Sequence, residues 1–209
     1  TQDGYGWSVV IEGNTMMVGT PYHYGITDVE TGAVYVYTRA DEESDWVFQQ
    51  KLVPSDGEFG DDFGVTIALQ GDTMLVSSLH DSDLGFWSGS VYYFAKENGT
   101  WVEKQKILAS NGVEKDYFGI SIALDGDTAF IGATGTDDPL IDGSVYVFER
   151  SGDTWTETQE MSLGRIAGFG ALIRLHGDTA FISAPGDGPG FNKHGAVHVY
   201  EYNGSTWEQ

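Results

Sequence analysis

The sequence lacks cysteine altogether and has few basic residues, with 10 lysines and arginines against 32 aspartates and glutamates. Without cysteine the chain has no disulfide, no thiol nucleophile and no cysteine-ligated metal. The formal net charge of -22 at pH 7 provides no basic footprint for phosphate groups, so nucleic acid is not expected as a partner. Anionic membrane surfaces are disfavoured for the same reason.

Long apolar runs are also missing. No stretch approaches the roughly 20 apolar residues of a transmembrane helix, so direct insertion into a membrane is not expected. The chain starts without a signal-peptide pattern or an initiating methionine, which is typical of a mature product or a portion of something longer. No segment has helical periodicity, a nucleophile elbow, a P-loop or a dinucleotide fingerprint. These absences favour an all-β protein that is not an enzyme.

The sequence does contain a repeat, which is present in four copies. Each copy opens with an aromatic–glycine pair, and a Gly-Asp/Asn-Thr turn begins 7 residues after the glycine of that pair. A further glycine then precedes an aromatic-rich strand, as at residues 32–37, and a tryptophan follows. The pairs are Tyr5-Gly6, Phe63-Gly64, Phe118-Gly119 and Phe169-Gly170, and the tryptophans are Trp46, Trp101, Trp155 and Trp207. Chance does not supply four marks in fixed order in four copies.

Each copy predicts four short strands. Residues 120–124 alternate large and small side chains with the period of two that is typical of a strand. At residues 145–148 valines point one way and aromatic side chains the other, so each sheet needs cover on both faces. Four-stranded sheets stacked radially at this period form a β-propeller, whereas the alternative, a linear β-solenoid, usually has shorter repeats. We expect one domain with blades near 1–55, 56–110, 111–162 and 163–209.

The order of these marks resembles the FG-GAP repeat of integrin α subunits and of many microbial surface proteins. The aromatic–glycine pair, the following strand, the Gly-Asp turn and segments such as Ala184-Pro185 carry the resemblance, which covers essentially the whole chain. It implies a β-propeller at an extracellular or cell-surface location. Integrin-type propellers have more than four blades, so the four copies are expected to be part of a larger propeller or a ring completed by a partner; a small four-bladed ring is the alternative.

One departure from the family concerns calcium. Calcium-binding members carry an aspartate-rich loop between strands 1 and 2, with D-x-D-x-D-G spacing that supplies the oxygen ligands of the ion. Here that loop shrinks to Gly126-Asp127-Thr128 and its three counterparts, with one carboxylate or none. The calcium site of the family is therefore not expected at these positions, and no cofactor is predicted.

The long connections predict where a partner binds. In an antiparallel meander the 2-3 and 4-1 connections emerge on one face of the disc, and here they are long and variable, which favours that face as the binding surface for a protein or glycan. The resemblance implies the same side. Asp81, Asp83, Asp137, Asp138 and Asp142 lie in these loops as candidate cation ligands, although solvated turn formers are the alternative interpretation.

The opposite face carries two sequons. Asn98 and Asn203 occupy equivalent 3-4 turns and are candidate glycosylation sites, although Asn-Gly is also a favoured hairpin pair. The recurrent tryptophans are interpreted as inter-blade packing rather than glycan stacking, because each has the same position in its copy.

We therefore expect a non-catalytic extracytoplasmic module for protein interaction, adhesion or structural assembly that binds through the 2-3 and 4-1 loop face. One alternative is a calcium-dependent glycan-binding adhesin or lectin that uses the 2-3 loops. The other is a propeller glycosidase, which would need paired carboxylates about 5 to 10 Å apart near the central channel.

Overall fold

The computed structural model describes residues 3–23, 30–135, 143–164, 166, 168–187 and 194–209. Within these ranges the regular secondary structure consists of strands, which form four antiparallel four-stranded sheets. In the same ranges, no helix has the length and apolar character needed to cross a membrane. The predicted all-β class is confirmed.

Each sheet is a meander whose strands pair in sequence order, and we call the sheets blades 1 to 4. Blade 1 contains β1 Ser8–Glu12, β2 Thr15–Thr20, β3 Ala33–Thr38 and β4 Val47–Leu52. Blade 2 contains β5 Phe63–Gln70, β6 Thr73–Ser78, β7 Ser90–Glu97 and β8 Thr100–Ile107. Blade 3 contains β9 Ser121–Asp125, β10 Thr128–Ala133, β11 Ser144–Ser151 and β12 Thr154–Ser162. Blade 4 contains β13 Ile173–His176, β14 Thr179–Ala184, β15 Ala196–Tyr202 and β16 Trp207–Glu208.

The aromatic–glycine pair lies at the start of each blade. The aromatic rings of Phe63, Phe118 and Phe169 are buried against aromatic side chains of the third strand in the same blade, whereas Tyr5 is exposed. The glycines all have positive φ, at 86° for Gly6, 101° for Gly64, 99° for Gly119 and 91° for Gly170. A Cβ on Gly64 would lie 2.8 Å from the carbonyl oxygen of Ala33 in the preceding blade. Backbone conformation and close packing both require glycine there.

The hydrophobic cores lie between blades. Strands β1, β5, β9 and β13 pack against one another in succession, and a core fills the space between each pair of consecutive blades. The alternation in β11 shows why: Tyr146 and Phe148 enter the core between blades 2 and 3, whereas Val145 and Val147 enter the core between blades 3 and 4. Burying one such side chain contributes about 1.5–3 kcal/mol.

A glutamine in the fourth strand ties each blade to the next one. Its side-chain amide donates to the carbonyl oxygen of the next blade's tryptophan and accepts from the same residue's backbone N–H. The pairs, at 2.7–2.9 Å, are Gln50 with Trp101, Gln105 with Trp155 and Gln159 with Trp207. These three tryptophans are buried, while Trp46 in blade 1 is partly exposed under the guanidinium of Arg39. Each tie fixes the spacing of two neighbouring blades.

The blades form a propeller-like arrangement that is not closed into a ring. Blade 1 exposes large apolar side chains that include Val9 and Ile11, and blade 4 exposes others that include Val197 and Val199. Blades 2 and 3, in contrast, are covered on both faces by their neighbours. The predicted β-propeller of four-stranded antiparallel blades is confirmed.

Candidate interaction face

Two long loops run side by side where blades 2 and 3 meet. One is the 2-3 connection of blade 2, residues 79–89, and the other is the connection from blade 2 to blade 3, residues 108–120. Backbone N–H groups of the second loop donate to carbonyl oxygens of the first, from Lys115 to Phe86 at 2.8 Å and from Tyr117 to Trp87 at 3.2 Å. The pairing holds the two loops as one surface.

An aromatic stack stands on this surface. The ring of Trp87 stacks on Phe86 at 4.2 Å and on His80 at 4.8 Å, and Tyr117 lies 6.0 Å from Trp87. The Nδ1 atom of His80 lies 2.8 Å from a carboxylate oxygen of the buried Asp62, which fixes the end of the stack. The rings therefore form a rigid group.

The stack borders exposed aliphatic side chains. Phe86 is 51% exposed, and Leu84 and Val113 are also exposed. Leu84 covers the backbone of Gly112, since a Cβ there would lie 2.9 Å from its Cδ1 atom. We call the exposed side chains and the rings beside them the loop cluster, which consists of His80, Leu84, Phe86, Trp87, Val113 and Tyr117.

Exposed apolar side chains are unevenly distributed over the described ranges. Apart from those of the loop cluster, the large ones lie on blade 1 or blade 4, with Phe59 and Val102 as the two exceptions. The end blades expose such residues because a sheet face has no neighbour there. The loop cluster needs another explanation, because blade stacking does not require it.

Backbone strain is concentrated at the same place. Positive φ values occur at Asp62 (59°), Trp87 (60°), Lys115 (65°) and Tyr117 (53°), and the fifth non-glycine case among the described residues, Asn98, lies in a hairpin. In blades 1 and 4 the position of Asp62 and Tyr117 is glycine, at Gly4 and Gly168. A non-glycine residue there costs about 1–2 kcal/mol. An alignment of the four repeats with one another reveals from sequence alone that Asp62 and Tyr117 replace glycine.

Asp81 and Asp83, two of the predicted cation ligands, do converge, but on a lysine. Their carboxylates each lie 2.7 Å from Nζ of Lys106, and that of Asp56 lies at 2.9 Å. Asp81 is buried and also accepts from Ser90 Oγ at 3.1 Å. The ammonium group thus occupies the centre that a metal ion would take. The other predicted ligands, Asp137, Asp138 and Asp142, lie outside the described residues.

The protonation of Lys106 follows from this arrangement. Burial alone would lower its pKa, but hydrogen bonds to the three carboxylates outweigh burial and raise the pKa above its ordinary value. The lysine stays charged. Over the described ranges, no group of three or more histidine, aspartate or glutamate side chains is arranged to hold a metal ion.

Two equivalent aspartates anchor the loops that lead into blades 2 and 3. A carboxylate oxygen of Asp61 accepts from the backbone N–H of Glu58 at 2.6 Å, and Asp116 accepts from that of Val113 at 2.7 Å. Burial raises the pKa of Asp61 to about 6, and burial also raises that of Asp116. Their geometry is that of structural turn anchors.

The remaining candidates lie away from the loop cluster. Asn98 and Asn203 are exposed in the third hairpin turns of blades 2 and 4, and the side-chain oxygen of Asn203 accepts from the backbone of Ser205 and Thr206. A groove of about 580 Å³ lies between blades 1 and 2. Its carboxylate, Glu103, is bound by the N–H and Oγ of Ser55.

Two solved structures have a similar fold. A protein from Bacteroides uniformis described as a 6-phosphogluconolactonase has a TM-score of 0.63 at 13% identity, over 98% of this chain and 55% of that one. An exo-β-1,3-galactanase from Phanerochaete chrysosporium has a TM-score of 0.52 at 14% identity, over 100% of this chain and 49% of that one. The chain spans about half the length of both, and at these identities the likeness shows the fold alone.

The family comparison is more specific. No curated protein matches the chain. A family model described as FG-GAP repeat matches residues 1–37, 46–94 and 101–148, which comprise most of blades 1 to 3. FG-GAP propeller repeats commonly mediate protein interactions and typically occur in extracellular proteins. With its matched repeats and its four-stranded blades, the chain belongs to the FG-GAP repeat family.

Proposed function

We propose that the chain is a non-catalytic extracellular or cell-surface module that binds a partner protein through the loop cluster. The observation that carries the proposal is a rigid, exposed aromatic and aliphatic surface that blade packing does not require. Protein interfaces are centred on such side chains, with tryptophan among the residues that contribute most to binding.

The cluster is also built in the way that binding surfaces are built. Phe86, Trp87 and Tyr117 are held by ring contacts and by backbone pairing of two loops, so little side-chain freedom is lost when a partner docks. Strained backbone persists where the surroundings hold it in place, and it clusters at functional sites. Trp87, Lys115 and Tyr117 in the two loops, and Asp62 beside His80, fit that pattern.

Charge around the cluster defines the complementary partner. The carboxylates of Asp83 and Glu114 are exposed beside it, and the whole chain is strongly acidic. Lys115, which pairs with Glu114 at 3.2 Å, is the cation of this rim. A mainly acidic rim around an apolar centre favours a partner with basic residues at the matching positions. We therefore propose a protein surface with an apolar centre and a basic rim as the ligand.

The proposal is tested by affinity capture followed by direct binding. The immobilised chain is incubated with secreted and surface proteins of its source, and a captured protein is then purified and its Kd measured. Phe86→Ser should weaken binding by more than about 10-fold, because it truncates the exposed centre of the cluster. The matched control is Phe59→Ser, an exposed phenylalanine of the neighbouring loop, which should change Kd less than about 3-fold.

Two results would overturn the proposal. One is equal binding by the wild type and the Phe86→Ser variant. The other is binding that simple glycans abolish while purified, deglycosylated protein has no affinity.

A further inference from the structure

Asp62 and His80 form a pair of side chains that is specific to blade 2. In the other three blades, the position of each residue holds a tyrosine or a glycine. The counterparts are Tyr22, Gly135 and Gly186 for His80, and Gly4, Tyr117 and Gly168 for Asp62. Blade 2 is also the blade whose 2-3 loop carries the aromatic stack of the loop cluster. The stacking of blades therefore does not require the pair.

The pair has a cost for the backbone and for the carboxylate. Asp62 has a φ of 59°, in the left-handed region where Gly4 of blade 1 has a φ of 67°. The carboxylate of Asp62 is buried, and one of its oxygens lies 2.8 Å from Nδ1 of His80. A buried carboxylate needs a counter-charge. The protonated imidazolium of His80 supplies that charge, whereas the neutral imidazole does not.

His80 in turn contacts the ring of Trp87. The two ring centroids lie 4.8 Å apart with an interplanar angle of 29°. An imidazolium over the face of an indole gains a cation–π attraction that a neutral imidazole lacks. Because Trp87 has a φ of 60°, which its backbone does not favour, its position depends on contacts such as this one.

Other titratable groups surround His80 on the loops that pack against it. The carbonyl oxygen of Asp61 accepts from the backbone N–H of His80 at 3.0 Å, and burial raises the pKa of the Asp61 carboxyl to about 6. Tyr22 of blade 1 faces Asp62, and burial and the charge of that carboxylate raise the pKa of the tyrosine. The remaining groups are Tyr117, the pair of Glu114 with Lys115, and Asp81 and Asp83 with Lys106.

We propose that Asp62 is a positioning residue of the loop cluster, which acts through His80 to hold the ring of Trp87, and that this hold strengthens when His80 gains a proton. An imidazole gains its proton as pH falls from about 8 to about 5. Over that range His80 acquires both an ion pair with Asp62 and a cation–π contact with Trp87, so the tryptophan becomes more ordered. The consequence for binding rests on the proposed function of the loop cluster, whereas the positioning itself involves no partner.

Fluorine NMR of the 209-residue chain labelled with fluorotryptophan measures the order of Trp87. Its resonance is the one that disappears in the Trp87→Phe variant. We expect this resonance to lie farthest from its position in the unfolded chain at about pH 5, and to move towards that position as pH rises to about 8. The resonance of Trp46, which lies under the guanidinium of Arg39, should not move. In Asp62→Asn, which removes only the charge, the displacement should be smaller by about twofold or more.

A double variant separates this role from general support of the fold. Asp62→Gly together with His80→Tyr installs the pair that blade 1 has at Gly4 and Tyr22, so the left-handed backbone and an aromatic ring are both kept. Neither new residue titrates between about pH 5 and 8. The unfolding temperature should therefore stay near that of the wild type, while the Trp87 resonance becomes independent of pH. Asp61→Asn should leave the pH dependence in place.

Three results would overturn the proposal. The first is a wild-type Trp87 resonance that does not move with pH or that moves in the opposite direction. The second is an undiminished pH dependence in the double variant. The third is loss of the pH dependence in Asp61→Asn, which would assign the effect to Asp61. Since the NMR experiment uses no partner, the loop cluster can fail to bind a protein while the positioning of Trp87 is confirmed, and the reverse can also occur.

Discussion

In blades 2 and 3, a tyrosine and a serine at equivalent positions of the third strand form hydrogen bonds through their hydroxyl groups. The networks that provide their partners have opposite charges at the centre. In blade 2 a strand lysine, Lys106, meets loop carboxylates, and Tyr92 donates to Asp56 at 2.6 Å. In blade 3 the corresponding strand residue is Glu160, which accepts from Ser144 Oγ and from the side-chain amide of Asn111, each at 3.0 Å. The tyrosine of blade 3, Tyr146, donates to that same asparagine at 2.8 Å.

The comparison separates what the fold requires from what it leaves open. Both blades need partners for a buried tyrosine and a serine at the entrance of the third strand. Whether the partner network has a cation at its centre depends on one strand-4 position, residue 106 or 160. A repeat can therefore change the local charge of the loop face without altering the strands that support it.

The largest expected effect comes from removing the central cation of blade 2. Lys106→Gln leaves the buried carboxylate of Asp81 beside those of Asp56 and Asp83 with no counter-charge, which should destabilise the fold by about 3–5 kcal/mol. Urea unfolding measures the change. Lys104→Gln is the matched control, because Lys104 lies in the same strand and pairs with Glu97 and Asp153 at the surface. Its loss should be much smaller than that of Lys106→Gln, because ion pairs at the surface are screened by solvent, and equal losses in both variants would contradict the charge network.

A smaller effect is expected from the loop anchor of blade 2. The pKa of Asp61 is raised to about 6 from 3.8, so the folded state binds its proton more tightly than the unfolded state does. The stabilisation from this proton is fully present below about pH 4 and is lost as pH rises through about 6. Asn does not titrate, so the Asp61→Asn variant should not lose stability in this way. From pH 4 to pH 8, the unfolding free energy of the variant minus that of the wild type should therefore rise by about 1–3 kcal/mol. Unfolding free energies measured across that range check the sign, and a constant difference between the two proteins would contradict it.

The smallest effect is expected in blade 3. Burial is the main cause of the raised pKa of Asp116, and the charge of Glu160 adds to it. Glu160→Gln keeps the hydrogen-bonding groups but removes the charge, so the pKa of Asp116 should move down towards its ordinary value. The stability should change by less than about 1 kcal/mol. A titration followed by NMR measures the pKa, with Glu97→Gln as an exposed control; an unchanged Asp116 would refute the coupling.

The fold was predictable from the sequence because its determinants are local and repeated. The alternation at residues 145–148 indicated two buried faces, and the structure places Val147 and Phe148 in different inter-blade cores. Loop length indicated which connections form a broad surface. Neither signal depends on residues that are distant in the chain.

The details of the loop face were not predictable in the same way. Asp56 and Lys106 lie 50 positions apart and meet because of blade curvature and strand register. The stack of His80 on Trp87 likewise depends on a positive φ that a tryptophan rarely adopts. Asp81 and Asp83 were identified as a pair of oxygen donors, but residue type alone did not indicate that a lysine lies between them.

The glutamine that binds the tryptophan of the next blade has a consequence for how such a protein grows. Each repeat encodes both halves of its own joint, since a repeat that presents the glutamine also presents the tryptophan backbone to the blade before it. Duplication of the gene segment for one repeat therefore supplies a new blade together with the glutamine and tryptophan that bind it to its neighbours, and no new contact has to evolve. Under a pulling force from one end, such joints would open one at a time, because each holds a single neighbour.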